Sequence, residues 1–286
     1  MINRLTVEVT AAPPGASVSG ASGRGAVVPT RPLRILAVSD EVQPELWGGI
    51  ERDHFGPLDL VVSCGDLPPA YLSYLDGTLR VPFVYAIGNH DLDEAWRDHA
   101  SRLLPARPRG VQLVRYDGFD VVALDWPGTD KRRGREQDRT AWREAIGLRL
   151  RTLLRGRSPL IVASHVAPHG AGDDRDVYHR GFGGYRWLAE QLRPALWLHG
   201  HTTPASQPER VTHIGPTTCV NVTGAWVIDL VPAGADRPGA DGADGAGADR
   251  EATEERSPEP LSRGRSRAGS RSERRARVPR GARRDG

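Results

Sequence analysis

Six short runs of apolar residues, each rich in Val, Ile and Leu, recur through the middle of the chain. They cover residues 33–38, 58–64, 82–87, 119–124, 159–164 and 195–200. Continuous apolar runs of this length are typical of strands that are buried on both faces. The runs therefore predict a core built on β-sheet, with both faces of the sheet covered.

Helical patterns lie between several of these strands. The longest spans residues 136–155, and a second spans residues 185–193 and is halted by Pro194, which lacks the N–H that a helix interior needs. In the longer segment the large apolar residues share one stripe, as expected of the buried face of an amphipathic helix. This stripe consists of Trp142, Ile146, Leu150, Leu153 and Leu154.

The segment 210–230 indicates a β-meander, with turns at Gly215–Pro216 and Thr223–Gly224. Strands that alternate with helices and are followed by a meander predict an α/β layered sandwich with mixed sheet. No internal repeat is visible.

Composition sets the limits of the folded part. Hydrophobic residues make up 38% of the chain and the mean hydropathy is −0.47, which is low for a globular protein, and the deficit lies at the two ends. Segments with almost no large apolar residue bury too little surface to offset their ordering entropy. We expect a disordered or weakly structured extension at 1–32, a single folded domain at 33–231, and a disordered tail at 232–286.

The net charge of +3 arises in the tail, because residues 1–232 contain equal numbers of basic and acidic side chains. The tail is rich in Gly, Ala and Asp at first and in Arg at its end. An Arg-rich terminus can contact nucleic acid through phosphates. We favour a solvated extension over a nucleic-acid partner, because Arg outnumbers Lys 38 to 1 over the whole chain and is not a special feature of the tail.

Two cysteines, Cys64 and Cys219, are far apart in apolar strands, which fits free buried thiols in a reducing compartment rather than a disulfide framework. The sequence shows no signal peptide and no apolar run long enough to span a membrane. These features predict a cytoplasmic protein with no membrane partner, and the sequence gives no indication of oligomeric state.

Five of the predicted strands are followed by a side chain that can bind metal or transfer a proton. Loops at the carboxyl ends of strands form the ligand crevice of open α/β sheets, so we expect these side chains to meet at one site. In chain order they are Asp40, Asp66, the run Asn89-His90-Asp91, His165, and the pair His199 and His201.

The order of these motifs resembles that of the calcineurin-like metallophosphoesterases, over residues 33–230. The matching pieces are Ser39-Asp40, Cys64-Gly65-Asp66, Gly88-Asn89-His90-Asp91, His165 and Gly200-His201. The resemblance implies a four-layer αββα sandwich with two mixed β-sheets. It also implies a two-metal site, in which the ions bind one phosphate and lower the pKa of a bridging water.

The resemblance also assigns roles to individual residues. Asp66 would bridge the two ions, and Asn89, His165 and His201 would complete one metal site. His90 would bind no metal but would sit over the phosphate, as an electrophile or as general acid to the leaving oxygen.

Two further residues receive expected roles beside these. Asp91 would hold the tautomer of His90 through its other ring nitrogen, as carboxylates beside metal sites do for imidazoles. Arg180, in the loop between the last two motifs, is a candidate bidentate donor to a substrate phosphate, and Asn89 would also contact the substrate.

The metal identity is constrained by the ligand types. Carboxylate, amide oxygen and imidazole together suit Mn²⁺, Fe²⁺ or Zn²⁺ better than Ca²⁺. The second ion site departs from the family pattern, which has Asp-x-His and Gly-His-x-His where this chain has Val42 and Thr203. That site keeps only Asp40 and the shared Asp66, so we expect one tight and one weak metal site.

Three interpretations of the depleted site remain open. The second ion could be recruited weakly with the substrate, as Mg²⁺ or Mn²⁺ with mostly water and phosphate ligands. Other side chains could replace the missing ligands, or the protein could be a catalytically weak metal- or phosphate-binding regulatory module. The candidate replacements are Glu41, His54, His199 and His213.

The function expected from the sequence is a metal-dependent phosphoesterase. It would hydrolyse a phosphomonoester or phosphodiester, in a small molecule or nucleotide, by direct attack of metal-bound hydroxide without a covalent intermediate. The regulatory module is the alternative, and a nuclease ranks third. The loops that set substrate specificity carry no readable code.

Overall fold

The computed structural model describes residues 2–9, 31–49, 55–107, 110–153 and 158–233, and every structural statement here concerns these residues. The predicted tail at 232–286, apart from its first two residues, and most of the predicted extension at 1–32 lie outside them. No helix in this part of the chain combines the length and apolar character needed to cross a membrane.

The described residues form eleven strands and four α-helices. The strands are β1 (Asn3–Val9), β2 (Leu33–Ser39), β3 (Leu60–Ser63), β4 (Phe83–Tyr85), β5 (Val111–Tyr116), β6 (Phe119–Leu124), β7 (Leu160–Ser164), β8 (Leu196–His199), β9 (Val211–Ile214), β10 (Thr217–Asn221) and β11 (Gly224–Pro232). The helices are α1 (Pro69–Leu79), α2 (Glu94–Leu103), α3 (Arg135–Leu153) and α4 (Gly183–Leu192). Short 3₁₀ turns lie at Pro44–Leu46 and His90–Leu92.

The strands form two mixed sheets. Sheet A has the order β1-β11-β2-β3-β4, and sheet B has the order β5-β6-β7-β8-β10-β9. Strands β2, β3 and β4 are parallel, as are β6, β7, β8 and β10, while β11 runs antiparallel to β2. Parallel strands need crossover connections, and α1, α3 and α4 lie in the connections between them.

The buried residues fall into three apolar layers, which define a four-layer αββα sandwich. Along β2, Ile35 and Ala37 point into the layer between the two sheets, whereas Leu36 and Val38 point to the layer beneath α1 and α2. A third layer lies between sheet B and helices α3 and α4. Each fully buried Leu or Ile contributes about 1.5–3 kcal/mol. The expectation of an α/β sandwich with two mixed sheets is confirmed.

Helix α3 is where the sequence predicted it, but the stripe expected to be buried faces outward. Trp142 and Ile146 are 40% and 46% exposed, and Leu150 and Leu153 are 59% and 60% exposed. Leu154 lies outside the described residues. The buried face is narrower, and two of its four residues are alanines. They are Gln137, Ala141, Ala145 and Leu148.

The close approach of helix α4 explains why α3 buries a different face from the one predicted. A Cβ on Gly184 would stand only 3.0 Å from backbone atoms of Trp142, so the two helices touch almost backbone to backbone. Only small side chains such as Ala141 fit between elements this close. Hydrophobic periodicity located the helix, but the requirement for small contact residues selected which face is buried.

Two parts of the sequence-based organisation need correction. The segment Asn3–Val9, which fell inside the predicted extension, is strand β1 and pairs in parallel with β11. Its alternating pattern buries Val7 and Val9 at the edge of the central layer. The described fold therefore includes this strand as well as residues 33–231.

The predicted meander at 210–230 is also wrong in its last step. Strands β9 and β10 form the expected antiparallel hairpin, but β10 belongs to sheet B and β11 to sheet A. The chain changes sheets at Val222 and Thr223. Both faces of β10 and of β11 are buried, so the apolar pattern alone could not show to which sheet each of these two strands belongs.

Candidate metal centre

The polar side chains that follow five parallel strands come together at one edge of the sandwich. Asp66 and Asn89 follow β3 and β4 in sheet A, whereas His165 and His201 follow β7 and β8 in sheet B. Asp40 follows β2 and lies against the His201 loop. The prediction that these loops meet is borne out by the contacts between them.

Three of these residues hold a backbone conformation that non-glycine residues rarely adopt. Asp40, Asp66 and His201 have φ values of 61°, 57° and 69°. Such left-handed conformations are uncommon outside glycine, although Asn, Asp and His adopt them more readily than other residues, and they cluster at functional sites, where the surrounding structure must hold them. Each one lies in the turn after its strand. Asp66 and His201 direct a ligand atom into the cluster, whereas Asp40 bonds the His201 loop.

Glycines beside these residues allow the loops to approach closely. A Cβ on Gly65, which has φ of 95°, would stand 2.6 Å from the backbone nitrogen of Gly88. A Cβ on Gly88 would collide with the carboxylate of Asp66. The Gly-Asp and Gly-Asn-His-Asp motifs therefore pack against each other through glycine, which sets the position of Asp66.

Four ligand-type atoms converge at the centre of the site. Among the described residues, Asp66, His165 and His201 form the one group of His, Cys, Asp or Glu whose ligand atoms lie within 4.8 Å of one another. The Nε2 atom of His165 lies 3.1 Å from Asp66 Oδ2, 3.1 Å from His201 Nδ1 and 3.0 Å from Asn89 Oδ1. This group could bind a metal ion.

Backbone carbonyls fix which ring nitrogens face the cluster. His165 Nδ1 lies 2.9 Å from the carbonyl of Cys64, and His201 Nε2 lies 3.2 Å from the carbonyl of Tyr178. Carbonyls only accept, so these nitrogens carry the protons and the opposite nitrogens face inward. Metal-binding histidines are commonly oriented in this way by a hydrogen bond from the other ring nitrogen.

The amide of Asn89 is oriented by the same logic. Its Nδ2 donates to the hydroxyl of Tyr178 at 2.8 Å, which leaves Oδ1 directed at His165. Asn89 is fully buried, as is His165. A proton on His165 Nε2 can serve only one or two of the facing acceptors, whereas a divalent ion coordinates all of these oxygen and nitrogen atoms together. The donor set therefore fits a metal.

The electrostatics of the cluster favour positive charge at this point. Burial by itself disfavours a charged imidazole, yet Asp66, with Asp40 and Asp91 nearby, raises the pKa of His165 to about 9. Burial and the neighbouring His165 lower the pKa of His201 to about 3, so that ring stays neutral. Burial alone would raise the pKa of Asp66, but His165 and the N–H of His90 outweigh it and lower that pKa.

Asp40 has a different environment from the other four. Its two oxygens accept the backbone N–H of His201 at 3.2 and 3.1 Å, and one also accepts the hydroxyl of Thr223 at 3.2 Å. It therefore ties the end of β2 to the His201 loop. Val42 is 40% exposed, and the hydroxyl of Thr203 bonds within its own turn to Ser206 at 3.3 Å.

His90 and Asp91 occupy separate surroundings. The side chain of His90 is 67% exposed, with Nε2 4.0 Å from Asp66 Oδ2, and its backbone N–H donates to Asp66 at 2.9 Å. Asp91 is buried, and its Oδ2 accepts the backbone N–H groups of Asp66 and Gly88, each at 2.8 Å. Burial and the charge of Asp66 raise the pKa of Asp91 to about 7.

The partner expected for Asp91 is thus wrong, because its carboxylate binds the backbone N–H groups of Asp66 and Gly88 and not the ring of His90. Its carboxylate fastens the two glycine-containing loops together instead of orienting His90, because the compact His90–Leu92 turn directs the two adjacent side chains apart, one outward and one inward. It acts on Asp66 through the backbone.

The loop before α4 brings residues to the cluster that the sequence did not single out. Tyr178 provides both a hydroxyl for Asn89 and a carbonyl for His201, and the ring centroid of His179 lies 5.1 Å from that of His201. Arg180, the expected substrate donor, is exposed, and its backbone N–H donates to the carbonyl of Asp176 at 3.1 Å. A backbone carbonyl that orients a histidine has no signature in sequence.

Trp126 forms the wall behind both histidines. Its ring centroid lies 6.4 Å from that of His165 and 5.7 Å from that of His201, and its indole is buried. It follows β6, which is one of the predicted strands. Its position just after a strand could therefore have marked it in the sequence as a residue near the site.

Of the proposed replacement ligands, the three that lie within the described residues do not join the cluster. His199 is fully buried with Nε2 unpartnered among the described residues, and a Cβ on Gly172 would lie 2.6 Å from that nitrogen, so it faces away behind a glycine. Glu41 and His213 are exposed, and His54 lies outside the described residues. The two cysteines are free and buried, as expected.

Comparison with known proteins yields no family. No protein-family model and no curated protein matches the chain. One solved crystal structure is 18% identical and covers 68% of this chain and 91% of its own, with a TM-score of 0.49. The crystal structure of TT1561 of Thermus thermophilus is 16% identical and covers 67% and 89%, with the same TM-score.

Proposed function

We propose that this chain is a metal-dependent phosphoesterase of the calcineurin-like class. The observation that carries the proposal is the convergence of Asp66, Asn89, His165 and His201, with both histidine tautomers fixed by carbonyls, beside the exposed imidazole of His90. The motif order in the sequence and the two-sheet sandwich support the same assignment.

The four converging residues would hold one divalent ion, for which Mn²⁺, Fe²⁺ and Zn²⁺ are the candidates. When bound, the ion would polarise a phosphoryl oxygen and lower the pKa of a water molecule at the site. Asp66 and Asn89 reach it from one sheet and His165 from the other, and the burial of Asn89 and His165 excludes solvent on their side of the ion.

His90 would act on the substrate rather than on the metal. Its backbone is held by Asp66, while the imidazole is exposed on the open side of the cluster. From there it can donate a proton or a hydrogen bond to the oxygen that leaves phosphorus. Asp91 would position this turn through the backbone of Asp66 and Gly88.

A second, weaker ion site would lie next to Asp40 and Asp66. Both oxygens of Asp40 already accept protein N–H or O–H groups, and Val42 and Thr203 add no ligand. We therefore propose one tight ion and one weakly held ion that arrives with the substrate. The substrate would be a phosphomonoester or phosphodiester in a small molecule or nucleotide, met in the cytoplasm, a reducing compartment that suits two free buried cysteines.

Metal content tests the site directly. The protein, purified without chelator, should retain about one equivalent of a transition metal by elemental analysis, and His201→Ala should remove it. His213→Ala is the matched control, since His213 is an exposed histidine on β9 and should leave the metal content unchanged. Less than about 0.2 equivalents in the unmodified chain would exclude the metal site.

Turnover of bis-p-nitrophenyl phosphate with added Mn²⁺ then tests the reaction. His90→Asn should lower turnover by about 10²–10⁴-fold, as for loss of a general acid, with metal content unchanged. Equal turnover in His90→Asn and the unmodified chain would remove His90 from the reaction.

A second candidate function is a regulatory module that binds metal or phosphate with little catalysis. The observation that favours it is Asp40, whose carboxylate serves as a structural link between β2 and the His201 loop. About one equivalent of metal without turnover would support the module over the enzyme.

A further inference from the structure

A cavity of about 550 Å³ lies next to the metal cluster, on the far side of Trp126 and Asp91, which line it. Its other walls come from β4, the His90–Leu92 turn, α2, residues 104–107, Gly110 and helix α3. This volume lies within the range of small-molecule sites, about 300–1,000 Å³. None of the functions proposed above uses it.

Aromatic and aliphatic side chains make up most of the lining. They include Tyr85, Leu92, Trp96, Leu104 and Trp126. Flat aromatic ligands bind well between such walls, because ring–ring and ring–aliphatic contacts replace water at both faces.

The polar groups of the aromatic walls already have partners in the protein. The hydroxyl of Tyr85 donates to the carbonyl of Pro105 at 3.2 Å. The indole N–H of Trp96 donates to the carbonyl of Leu67 at 2.9 Å. Trp126 donates its indole N–H to the carbonyl of Asp130 at 2.8 Å. These side chains therefore offer a ligand their surfaces rather than hydrogen bonds.

Asp125 is also fully engaged. Its oxygens accept the backbone N–H of Ile87 at 2.9 Å and of Gly110 at 2.7 Å, and Arg107 forms an ion pair with it. The guanidinium of Arg107 lies 4.4 Å from the ring centroid of Tyr85.

Glu144 is different. It reaches the cavity from α3, and its Oε2 is buried without a hydrogen-bond partner among the described residues. Burial, and then the charge of Asp125, raise the pKa of Glu144 to about 7. A buried carboxyl group without a hydrogen-bond partner is costly, so a ligand in the cavity gains if the Glu144 side chain turns this group towards a donor on the ligand.

We propose that this cavity binds a flat aromatic heterocycle that donates a ring N–H to Glu144. Anionic ligands are disfavoured by the carboxyl groups of Asp91, Asp125 and Glu144, and a full cation is disfavoured by the guanidinium groups of Arg97 and Arg107. A purely apolar molecule would leave Glu144 unsatisfied. A neutral ring with an N–H donor, such as a nucleobase, meets both conditions.

The test compares two ligands that differ in one N–H. Indazole should bind at least about tenfold more tightly than 1-methylindazole, measured by ligand-observed NMR titration, because only indazole can donate to Glu144. Glu144→Met should abolish this preference, while Glu136→Met, at an exposed position of the same helix, should keep it. Equal binding of the two ligands to the unmodified chain, or no binding of either at millimolar concentration, would overturn the proposal.

The inference is independent of phosphoester hydrolysis. His201→Ala should lose metal yet keep the preference for indazole, so the two proposals fail separately. A further arm distinguishes a nucleotide base from a free base as the source of the ring. Inosine 5′-monophosphate, whose base keeps a ring N–H at N1, should outbind hypoxanthine on Mn²⁺-loaded protein, and lose that advantage in His201→Ala, only if one molecule reaches both sites.

Discussion

His165 Nε2 and His201 Nδ1 face each other at 3.1 Å, while the opposite nitrogen of each ring bonds a backbone carbonyl. One ring belongs to the loop after β7 and the other to the loop after β8. Two inward-facing imidazole nitrogens at this distance repel unless positive charge lies between or beside them. Asp66 adds negative charge at the same point, so the arrangement is suited to a cation.

The glycine at position 88 should be essential to this arrangement. Gly88→Ala places a Cβ against the carboxylate of Asp66, so we expect loss of metal retention and a destabilisation of about 1–3 kcal/mol. Elemental analysis and urea unfolding measure the two effects. Gly77→Ala is the control, because it lies inside α1 with open space around a Cβ and should stabilise by about 0.5–1 kcal/mol. Retained metal in Gly88→Ala would contradict the packing argument.

The second ion site should be open to reconstruction. Val42→His combined with Thr203→His supplies two imidazoles near Asp40, and metal content should rise from about one towards two equivalents. Elemental analysis after dialysis against Mn²⁺ gives the count. Each single variant serves as a control, since one added ligand should raise the content less than both. An unchanged count in the double variant would mean that these positions do not face the ion site.

Glu144 predicts a specific pH dependence of stability. Its folded-state pKa of about 7 lies above the ordinary value of 4.5, so its contribution is fully present below pH 4.5 and is lost as pH rises through 7. Relative to Glu144→Gln, the unmodified chain should lose up to about 3 kcal/mol across this window. Urea unfolding at a series of pH values measures the difference. The free energy of unfolding of Glu136→Gln should change with pH in the same way as that of the unmodified chain. The same pH dependence in Glu144→Gln would show that Glu144 does not titrate with a raised pKa.

The narrow face of α3 gives a fourth prediction. Ala145→Leu should destabilise by about 1–3 kcal/mol, because the added carbons meet the tightly packed layer beneath α3. Leu150→Gln, at a position 59% exposed, should change stability by less than about 0.5 kcal/mol. Thermal unfolding of the two variants measures both changes. A larger destabilisation by Leu150→Gln than by Ala145→Leu would mean that the stripe predicted from the sequence is the buried face of α3.

The strands and the polar residues at their ends were predictable because both signals are local in the sequence. The six apolar runs correspond to β2, β3, β4, β6, β7 and β8, within a few residues at their ends. A site residue at the end of such a run, such as Asp66 or His165, could be identified without knowledge of the partner strands.

Features that depend on contacts between distant segments were not predictable in this way. The buried face of α3 is selected by Gly184, some forty residues away, and the partner of Asp91 is a backbone N–H rather than a side chain. Tyr178 orients His201 through its carbonyl, which every residue possesses. Strand β1 alternates exposed and buried residues instead of forming a continuous apolar run, and it lies apart from the other strands in the sequence, so its pairing with β11 was not visible.

The cluster draws Asp66 and Asn89 from sheet A and His165 and His201 from sheet B. An ion bound by all four residues would thus crosslink sheet A to sheet B. Any force or solvent that slides one sheet over the other would have to break coordination first. Amide hydrogen exchange in β3 and β7 should therefore slow together on metal loading, although these strands share no hydrogen bonds. The affinity for the ion then depends on the relative position of the two sheets.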